Sequence, residues 1–143
     1  MSNITVSAVP TPLLDVLWAD VEPLLNAAID TNNGRYTTES VRAAILASEL
    51  ALWVAMDGVR PIAALTTRIC EYPTGLRGLC IDWIGGTRMS EWLPVAQQLM
   101  AEYARDNNCA HLEGYGRRAW GRVLGRYGWE PEYTAYRMEL NNG

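Results

Sequence analysis

Apolar and polar residues alternate along several short stretches of the chain, the pattern of strands that bury one face. The stretches are Ile4 to Val9, Leu52 to Met56, Ile62 to Cys70, Leu79 to Ile84, Cys109 to Tyr115 and Tyr133 to Leu140. Asp57-Gly58, between the second and third stretches, predicts a hairpin, because both central positions of a tight turn favour positive φ. The alternation therefore predicts about six strands.

Between the strands, apolar residues recur every three or four positions, which is typical of amphipathic helices. Thr11-Pro12 opens the first helix, and Pro23 is expected to divide or kink it. The further helices are predicted to begin at Thr37 or Thr38, to run from about Ser90 to Asp106, and to cover Arg117 to Arg126.

The elements follow the order β-α-α-β-β-β-α-β-α-β, and residues 1–143 contain no repeat, linker or low-complexity segment. This order predicts a single α/β domain (mixed α+β), in which helices flank a mixed central sheet. Leu79 to Cys109 forms its centre, as a buried strand, a break at Gly85-Gly86 and a long helix. Because glycines let a chain leave a sheet abruptly, Gly85 to Met89 is predicted to be a loop.

Composition and charge narrow the classes of function. The 143 residues are 49% hydrophobic, enough for one well-packed domain. The net charge of -4 disfavours a broad nucleic-acid surface. Three cysteines without C-x-x-C spacing predict neither a metal site nor a disulfide framework. The sequence shows no signal peptide and no transmembrane segment, so we expect a cytoplasmic protein.

The order of elements, with its strand, glycine break and helix, is similar to the fold of the GNAT family of N-acetyltransferases. The segment Arg117 to Glu130 resembles the family's short helix, with Gly128 ending it and Trp129 leading into the last strand. The resemblance implies an acetyl-CoA site beside the strand Leu79 to Ile84. The residues that it assigns to the cofactor are Trp83, Ile84, Gly85, Gly86, Arg88 and Met89.

Two parts of this implied site depart from the family's pattern. When Arg88 is matched to the first residue of the phosphate-binding motif Arg/Gln-x-x-Gly-x-Gly/Ala, Glu91 and Leu93 stand where small residues belong. Leu124 and Arg117 occupy the positions that often carry Tyr and Asn. A carboxylate opposes a pyrophosphate, so the loop is predicted to be degenerate and no cofactor is expected. The alternative is acetyl-CoA bound in an altered mode.

Two carboxylates are candidate general bases. Alternation places Asp82 on one face with Cys80 and Ile84, where burial would raise the pKa of its carboxyl group. The simpler interpretation is an ion pair with Arg68 on the neighbouring strand. Glu113 is the second candidate, and alternation groups it with Cys109 and His111. The simpler interpretation of this group is a partly buried histidine whose hydrogen bonds are satisfied.

A possible partner surface lies on the short helix. Arg118, Arg122 and Arg126 repeat every four residues and form a basic stripe that suits an acidic partner, a phosphate or DNA, or a plain solvated face. Trp92 and Trp120 are candidate exposed anchors, since Trp and Arg are common interface hot spots. If both are exposed, a protein partner is favoured.

The sequence is also similar, in its general residue pattern and not in a defined motif, to short GNAT-like proteins of tailed bacteriophages. The stretches involved are Leu52 to Ala55, the Cys80 strand with Gly85-Gly86, Asn108-Cys109 and Gly116 to Trp120. The first hypothesis is therefore a phage-type GNAT-fold virion component or assembly protein, acting through protein contacts in the host cytoplasm or virion. The alternative is an active acetyl-CoA-dependent N-acyltransferase with an amine acceptor, and the third is nucleic-acid contact through the arginine stripe.

Overall fold

The computed structural model describes residues 3–31, 34–116 and 119–140. The strands are β1 (Ile4–Ala8), β2 (Ala51–Asp57), β3 (Arg60–Glu71), β4 (Arg77–Gly86) and β5 (His111–Gly114). The α-helices are α1 (Leu14–Ile29), α2 (Thr38–Leu46), α3 (Met89–Asp106) and α4 (Trp120–Gly125), and a 3-10 turn over Thr11–Leu13 precedes α1.

The five strands form one mixed sheet in the order β1-β2-β3-β4-β5. Strands β1 to β4 pair antiparallel with their neighbours, and β5 pairs parallel to β4 after the crossover through α3. The predicted fold class is therefore confirmed as a single α/β domain with a mixed sheet flanked by helices, although the described residues contain five strands rather than about six.

Each face of the sheet has its own apolar cluster. The apolar stripe of α3, with Trp92 and Met100, packs with Leu79 and Ile81 of β4. Helices α1 and α2 cover part of the opposite face, and their cluster is centred on fully buried residues of α1 such as Leu25. The amphipathic helices thus bury their stripes on the two sides of the sheet.

Local sequence signals account for the first half of the fold. The hairpin predicted at Asp57-Gly58 is present, but Asp57 pairs with Arg60, so Gly58 and Val59 make the turn and Gly58 alone has positive φ. The hydroxyl of Thr37 accepts from the Ser40 N–H, and the Ser40 hydroxyl accepts from the Thr37 N–H. This capping box begins α2 where the sequence predicts it.

The prediction that Pro23 divides the first helix is wrong for its division, because α1 runs unbroken from Leu14 to Ile29. Val21 and Leu25 lie on either side of the proline and are both fully buried in one cluster. Burial on both sides of Pro23 keeps the two halves in one helix, despite the backbone hydrogen bond that proline cannot make.

The last predicted strand, Tyr133 to Leu140, is not a strand in the structure. Its alternating apolar residues Tyr136, Met138 and Leu140 are highly exposed rather than packed on a sheet. A strand pattern needs a neighbouring strand and a surface to bury, and this segment has gained neither. The predicted helix Arg117 to Arg126 is present as the shorter α4, and Arg117 and Arg118 lie outside the described residues.

Candidate functional site

The pairing of strand β4 with both of its neighbours changes at Asp82. Thr67 of β3 pairs with Ile81 and Thr66 pairs with Trp83, so Asp82 is the extra residue of a β-bulge. The parallel pairing with β5 ends at Ile81, while β4 continues to Gly86. From Asp82 onward, β4 therefore presents an edge that β5 does not cover, and the two strands part at this point.

The bulge also changes which side chains share a face. Leu79 and Ile81 before it, and Ile84 after it, all pack in the α3 cluster. Trp83 packs in the cluster of α1 and α2. The predicted grouping of Ile84 with Cys80 and Asp82 is therefore wrong, because the extra residue shifts the alternation by one position.

Asp82 is held by Arg68, as the simpler interpretation of the sequence proposed. The Arg68 guanidinium donates from Nε to Asp82 Oδ2 at 2.7 Å and also contacts the sulfur atoms of Cys70 and Cys80. Partial burial by itself lowers the pKa of Arg68, but its hydrogen bond to Asp82 and the charge of Asp82 outweigh burial and raise that pKa. Asp82 is thus a paired carboxylate.

The cysteine beside this ion pair is not an activated nucleophile. The Cys80 thiol is buried and donates toward Asp82 Oδ1 at 3.3 Å. Burial, followed by the charge of Asp82, raises the pKa of the Cys80 thiol well above its ordinary value, although Arg68 acts in the opposite direction. A thiol that stays protonated does not attack an acyl group efficiently.

A pocket of about 290 Å³ opens beside Asp82, between α2 and the sheet. Arg68, Asp82 and Trp83 form its floor on the sheet side, and Tyr36 and Ser40 line it from the helix side. The rings of Tyr36 and Trp83 meet edge to face, with their centroids 5.4 Å apart. The pocket therefore combines aromatic walls with one paired carboxylate, next to the point where β4 and β5 part.

Glu113 of β5 lies on the same sheet face as Cys80, with which it is in register. The Tyr72 hydroxyl donates to the Glu113 carboxylate at 2.7 Å, and His111 Nε2 lies 3.0 Å from Glu113 Oε1. The hydrogen bond to Glu113 is the main reason that the pKa of Tyr72 rises to about 12. Among the described residues no arginine pairs with Glu113, whose side chain is 13% exposed.

Backbone pairing explains why Glu113 and His111 lie together. His111 is in register with Gly78 and Glu113 with Cys80, so both side chains project from the face that carries Cys80. A Cβ on Gly78 would lie 2.5 Å from atoms of both side chains. Cys109 does not join them, because β5 begins only at His111 and Cys109 packs with the α3 cluster.

The start of α3 is closed by ion pairs. Arg88, in the left-handed conformation at the N-cap, contacts Asp57 across the hairpin and Glu91 in the first turn. The hydrogen bonds to Glu91 and Asp57 raise the pKa of Arg88, and the bond from Arg88 lowers that of Glu91. Arg88 is thus paired with two carboxylates, and their negative charge offsets the positive charge that a phosphate would need.

The glycines that suggested a cofactor cradle are used for packing. Gly85 and Gly86 belong to β4 and pair with Ala64 and Ala63, so the predicted loop is wrong for both. A Cβ on Gly85 would lie 1.7 Å from the Leu24 carbonyl oxygen of α1, and one on Gly86 would collide with β3. Both positions require glycine because neighbouring backbone approaches closely.

The other residues that the resemblance assigns to the cofactor have packing roles as well. Met89 and Ile84 are partly buried against the α3 cluster, and Trp83 is partly buried against the cluster of α1 and α2. The part of the implied site that stays unpaired is the backbone edge of β4 beyond Ile81.

The predicted partner surface is only partly present. Trp92 is 1% exposed and its indole N–H donates to the Thr87 carbonyl, so its role as an exposed anchor is wrong. Its apolar ring completes the stripe of α3 in the core. Arg122 and Arg126 are exposed and Trp120 is partly buried, whereas Arg118 lies outside the described residues.

Metal and membrane sites receive no support from the described residues. In residues 3–31, 34–116 and 119–140, no group of three or more His, Cys, Asp or Glu side chains could hold a metal ion. The helices in the same ranges include none that is long and apolar enough to cross a membrane.

Sequence reasoning missed the tyrosines around Glu113. Tyr72 follows β3, Tyr115 follows β5 and Tyr133 lies in the C-terminal segment, so they are distant in sequence. The pairing of β3, β4 and β5 brings Tyr72 and Tyr115 to one end of the sheet, and Tyr133 contacts Tyr115 from the C-terminal segment. The position of Tyr72 and Tyr115 directly after strand ends was the one available signal, and it does not identify a common site.

Several solved structures that share this fold are acetyltransferases by name. A probable acetyltransferase superposes with a TM-score of 0.71 at 13% identity, over 97% of this chain and 99% of that one. A ribosomal-protein-alanine N-acetyltransferase from Brucella melitensis biovar Abortus 2308 gives 0.71 at 15%, over 96% and 99%. An aminoglycoside acetyltransferase from an uncultured soil metagenomic sample gives 0.70 at 10%, over 97% of both chains.

The sequence itself matches no protein-family model and no curated protein. At 10 to 15% identity, the structural likeness shows the fold alone. The conclusion is that this chain has the GNAT fold, the fold of its acetyltransferase neighbours.

Proposed function

We propose that this protein is an N-acyltransferase that uses an acyl-coenzyme A donor and an amine acceptor. The observation that carries the proposal is the parting of β4 and β5 at the Asp82 bulge, beside two carboxylates on one sheet face. An uncovered strand edge next to proton-accepting groups suits a transfer reaction. The acetyltransferase neighbours support this function more than a virion or assembly role.

The residues fit the two ends of such a donor differently. The free backbone edge of β4, from Asp82 to Gly86, suits the amide-bearing pantetheine arm, because unpaired strand edges bind extended amides. The start of α3 suits a diphosphate poorly, because Arg88 already serves Asp57 and Glu91. When bound, the donor would supply an activated acyl thioester. We therefore assign the pantetheine arm, rather than the diphosphate, to the main contact.

Glu113 is the more accessible proton acceptor of the two carboxylates by its partners. An amine must lose a proton to react, and a carboxylate held by a guanidinium is less available to accept it than one with hydroxyl and imidazole partners. Asp82 has Arg68 as its partner, whereas Glu113 is bound to Tyr72 and His111. We assign proton removal to Glu113, and the positioning of Arg68 and the bulge to Asp82.

An acyl-transfer assay tests this function. Purified protein is mixed with acetyl-CoA and a panel of primary amines, and release of the free thiol is followed together with the mass of the acylated amine. We expect thiol release that depends on both the amine and the protein. Saturating protein and donor with no acylated product across peptide, polyamine and aminoglycoside amines would contradict the proposal.

A role through protein contacts is the second candidate, favoured by one observation. Tyr136, Met138 and Leu140 project apolar side chains from the C-terminal segment, and Tyr136 is 92% exposed. Sedimentation and pull-down with a variant in which all three residues are replaced by Ser would test it. Unchanged mass and unchanged associated proteins would remove this observation.

A further inference from the structure

The three cysteines differ in what surrounds their sulfur atoms. Cys80 of β4 is fully buried, and its thiol donates to a carboxylate. Cys109 is half-buried beside α3, and its sulfur lies 3.9 Å from a backbone carbonyl oxygen. Cys70 of β3 is half-buried as well, but a guanidinium nitrogen, Arg68 Nη1, donates to its sulfur at 2.8 Å. Cys70 is therefore the cysteine that combines access to solvent with a neighbouring positive charge.

Strand pairing explains why one arginine reaches two thiols. Arg68 is in register with Cys80, and Cys70 is in register with Gly78, so the guanidinium contacts both sulfur atoms on one sheet face. Cys70 and Cys80 are diagonal neighbours of an antiparallel pair. The Cβ atoms of such neighbours are about 7 Å apart, well beyond the roughly 4 Å of a disulfide. Cys70 therefore lacks a disulfide partner in its own sheet unless the strands move.

The hydrogen bonds of the neighbouring carboxylates keep the guanidinium directed at Cys70. Asp82 accepts from Arg68 Nε at 2.7 Å, which fixes the plane of the guanidinium, while Nη1 of the same group contacts the Cys70 sulfur. Glu113 accepts from the Tyr72 hydroxyl at 2.7 Å. The titratable groups on this part of the sheet face are Arg68, Tyr72, Cys80, Asp82, His111 and Glu113. Half-exposed cysteines beside a cation are the reactive ones in proteins, because the cation stabilises the thiolate that attacks.

We propose that Cys70 is a site of S-thiolation, at which its thiol exchanges with a low-molecular-weight disulfide. The thiol first gives its proton to water, and the Cys70 thiolate then attacks one sulfur of the disulfide. A new S–S bond joins Cys70 to that sulfur, and the original S–S bond breaks. The other half leaves as a thiolate with the electron pair of the broken bond, so that Cys70 is oxidised and the leaving half is reduced.

The arginine also selects the kind of disulfide. A guanidinium beside the attacking sulfur attracts a disulfide that carries carboxylates and stabilises the thiolate that forms, whereas an uncharged disulfide gains only the second effect. Arg68 and Asp82 also line the pocket between α2 and the sheet, so the modified residue lies next to that pocket. The proposal goes beyond acyl transfer and does not depend on it.

Thiol reaction rates on the folded whole chain test the proposal. The probe is DTNB, an aromatic disulfide with two carboxylates, and mass spectrometry of peptides identifies the cysteine that reacts in each kinetic phase. We expect Cys70 to react at least about tenfold faster than Cys109, and Cys80 to react only after unfolding, because it is buried. Cys70→Ser should remove the fast phase. Cys109→Ser is the matched control and should retain it.

A second set of variants tests the role of the guanidinium. Arg68→Gln/Asp82→Asn removes both charges of the ion pair together and should slow the reaction of Cys70 with DTNB by about tenfold. Arg105→Gln, at an exposed arginine in the last turn of α3, is its control and should leave that rate unchanged.

An uncharged probe keeps the test decisive if the double variant does not fold by circular dichroism. In the Cys109→Ser protein, Cys70 should then prefer DTNB over uncharged dithiodipyridine more strongly than a free small thiol does. Reaction of Cys109 before Cys70, or an unchanged Cys70 rate in folded Arg68→Gln/Asp82→Asn, would overturn the site. Equal preference of Cys70 and the free thiol for the two probes would also overturn it.

Discussion

Two glycines of β4, Gly85 and Gly78, allow close approach for different purposes. At Gly85, the backbone of α1 occupies the place of a side chain, and the Leu24 carbonyl lies 1.7 Å from where a Cβ would be. At Gly78, the space is taken by the ends of two side chains, Glu113 and His111. One end of this sheet face is therefore filled by the backbone of α1, and the other end holds polar side chains that can move.

The difference shows why glycine in a strand does not by itself indicate a ligand. Gly85-Gly86 has the appearance of a phosphate cradle in the sequence, but a helix backbone occupies that space. Gly78 carries no motif, yet it makes room for the candidate proton acceptor. The role of each glycine therefore depends on the group that occupies the space beside it, and that group is distant in sequence.

The largest effect that separates the two glycines is on stability. Gly85→Ala should lower the free energy of unfolding by about 3 kcal/mol or more, because a rigid backbone carbonyl cannot move aside. Urea unfolding followed by circular dichroism measures the change. Gly121→Ala is the control, since among the described residues no atom beyond the adjoining helix backbone lies within 4 Å of its Cβ position, and it should be neutral or slightly stabilising. Equal stability of Gly85→Ala and the natural protein would refute the close packing of α1.

The next effect concerns the carboxylates on this face. Glu113→Gln should lower kcat/KM for amine acylation by about 100-fold, the lower end of what a positioned base contributes. Asp82→Asn should cost stability more than rate, because it leaves Arg68 without its charged partner. Steady-state kinetics and urea unfolding of both variants provide the comparison. A larger rate loss in Asp82→Asn than in Glu113→Gln would reverse the assigned roles.

A smaller effect is expected at Gly78. Gly78→Ala pushes on Glu113 and His111, which are flexible ends that can turn away. Misplacing a catalytic group costs rate more than stability, so kcat/KM should fall by roughly tenfold while stability changes little. Kinetics and urea unfolding of this variant, measured beside Gly85→Ala, test the contrast. The comparison fails if Gly78→Ala unfolds as readily as Gly85→Ala.

The smallest effect is the titration of Tyr72. Its folded pKa of about 12 lies above the ordinary tyrosine value, since its hydrogen bond to Glu113 favours the protonated phenol. The Tyr72–Glu113 contribution to stability is therefore complete below about pH 10 and is lost as pH rises toward 12. Ultraviolet difference spectra of the natural protein and Tyr72→Phe isolate this phenol. Ionisation of Tyr72 at its ordinary pKa would show that the hydrogen bond is absent in solution.

Most of the fold follows from local patterns in the sequence. Alternation predicted the five observed strands, and the Thr37 cap and the glycine near Asp57 predicted a helix start and a hairpin. Tyr133 to Leu140 has an equally good strand pattern but lies outside the sheet. An alternating pattern shows that a segment could lie in a sheet. Whether it pairs depends on a neighbouring strand, which the segment's own sequence does not determine.

The candidate site was less predictable than the fold. The Arg68–Asp82 pair could be proposed because adjacent strands bring the two residues together. The bulge at Asp82 could not, since one extra residue leaves the local composition unchanged and is detected only against β3. The grouping of Tyr72, Tyr115 and Tyr133 near Glu113 depends on two strand ends and the C-terminal segment meeting in space. A contact between residues on two adjacent strands can be predicted from the sequence, whereas a site that three separate elements form cannot.

Calorimetric titration with acetyl-CoA is the most direct test of the proposed transferase function, because it needs no knowledge of the acceptor. We expect saturable binding at one site with a micromolar dissociation constant, and similar binding of acetyl-pantetheine, since β4 rather than the start of α3 is proposed to hold the donor. Absence of saturable heat with either compound at millimolar concentration would contradict the claim that this GNAT fold is an acyl-CoA-dependent transferase.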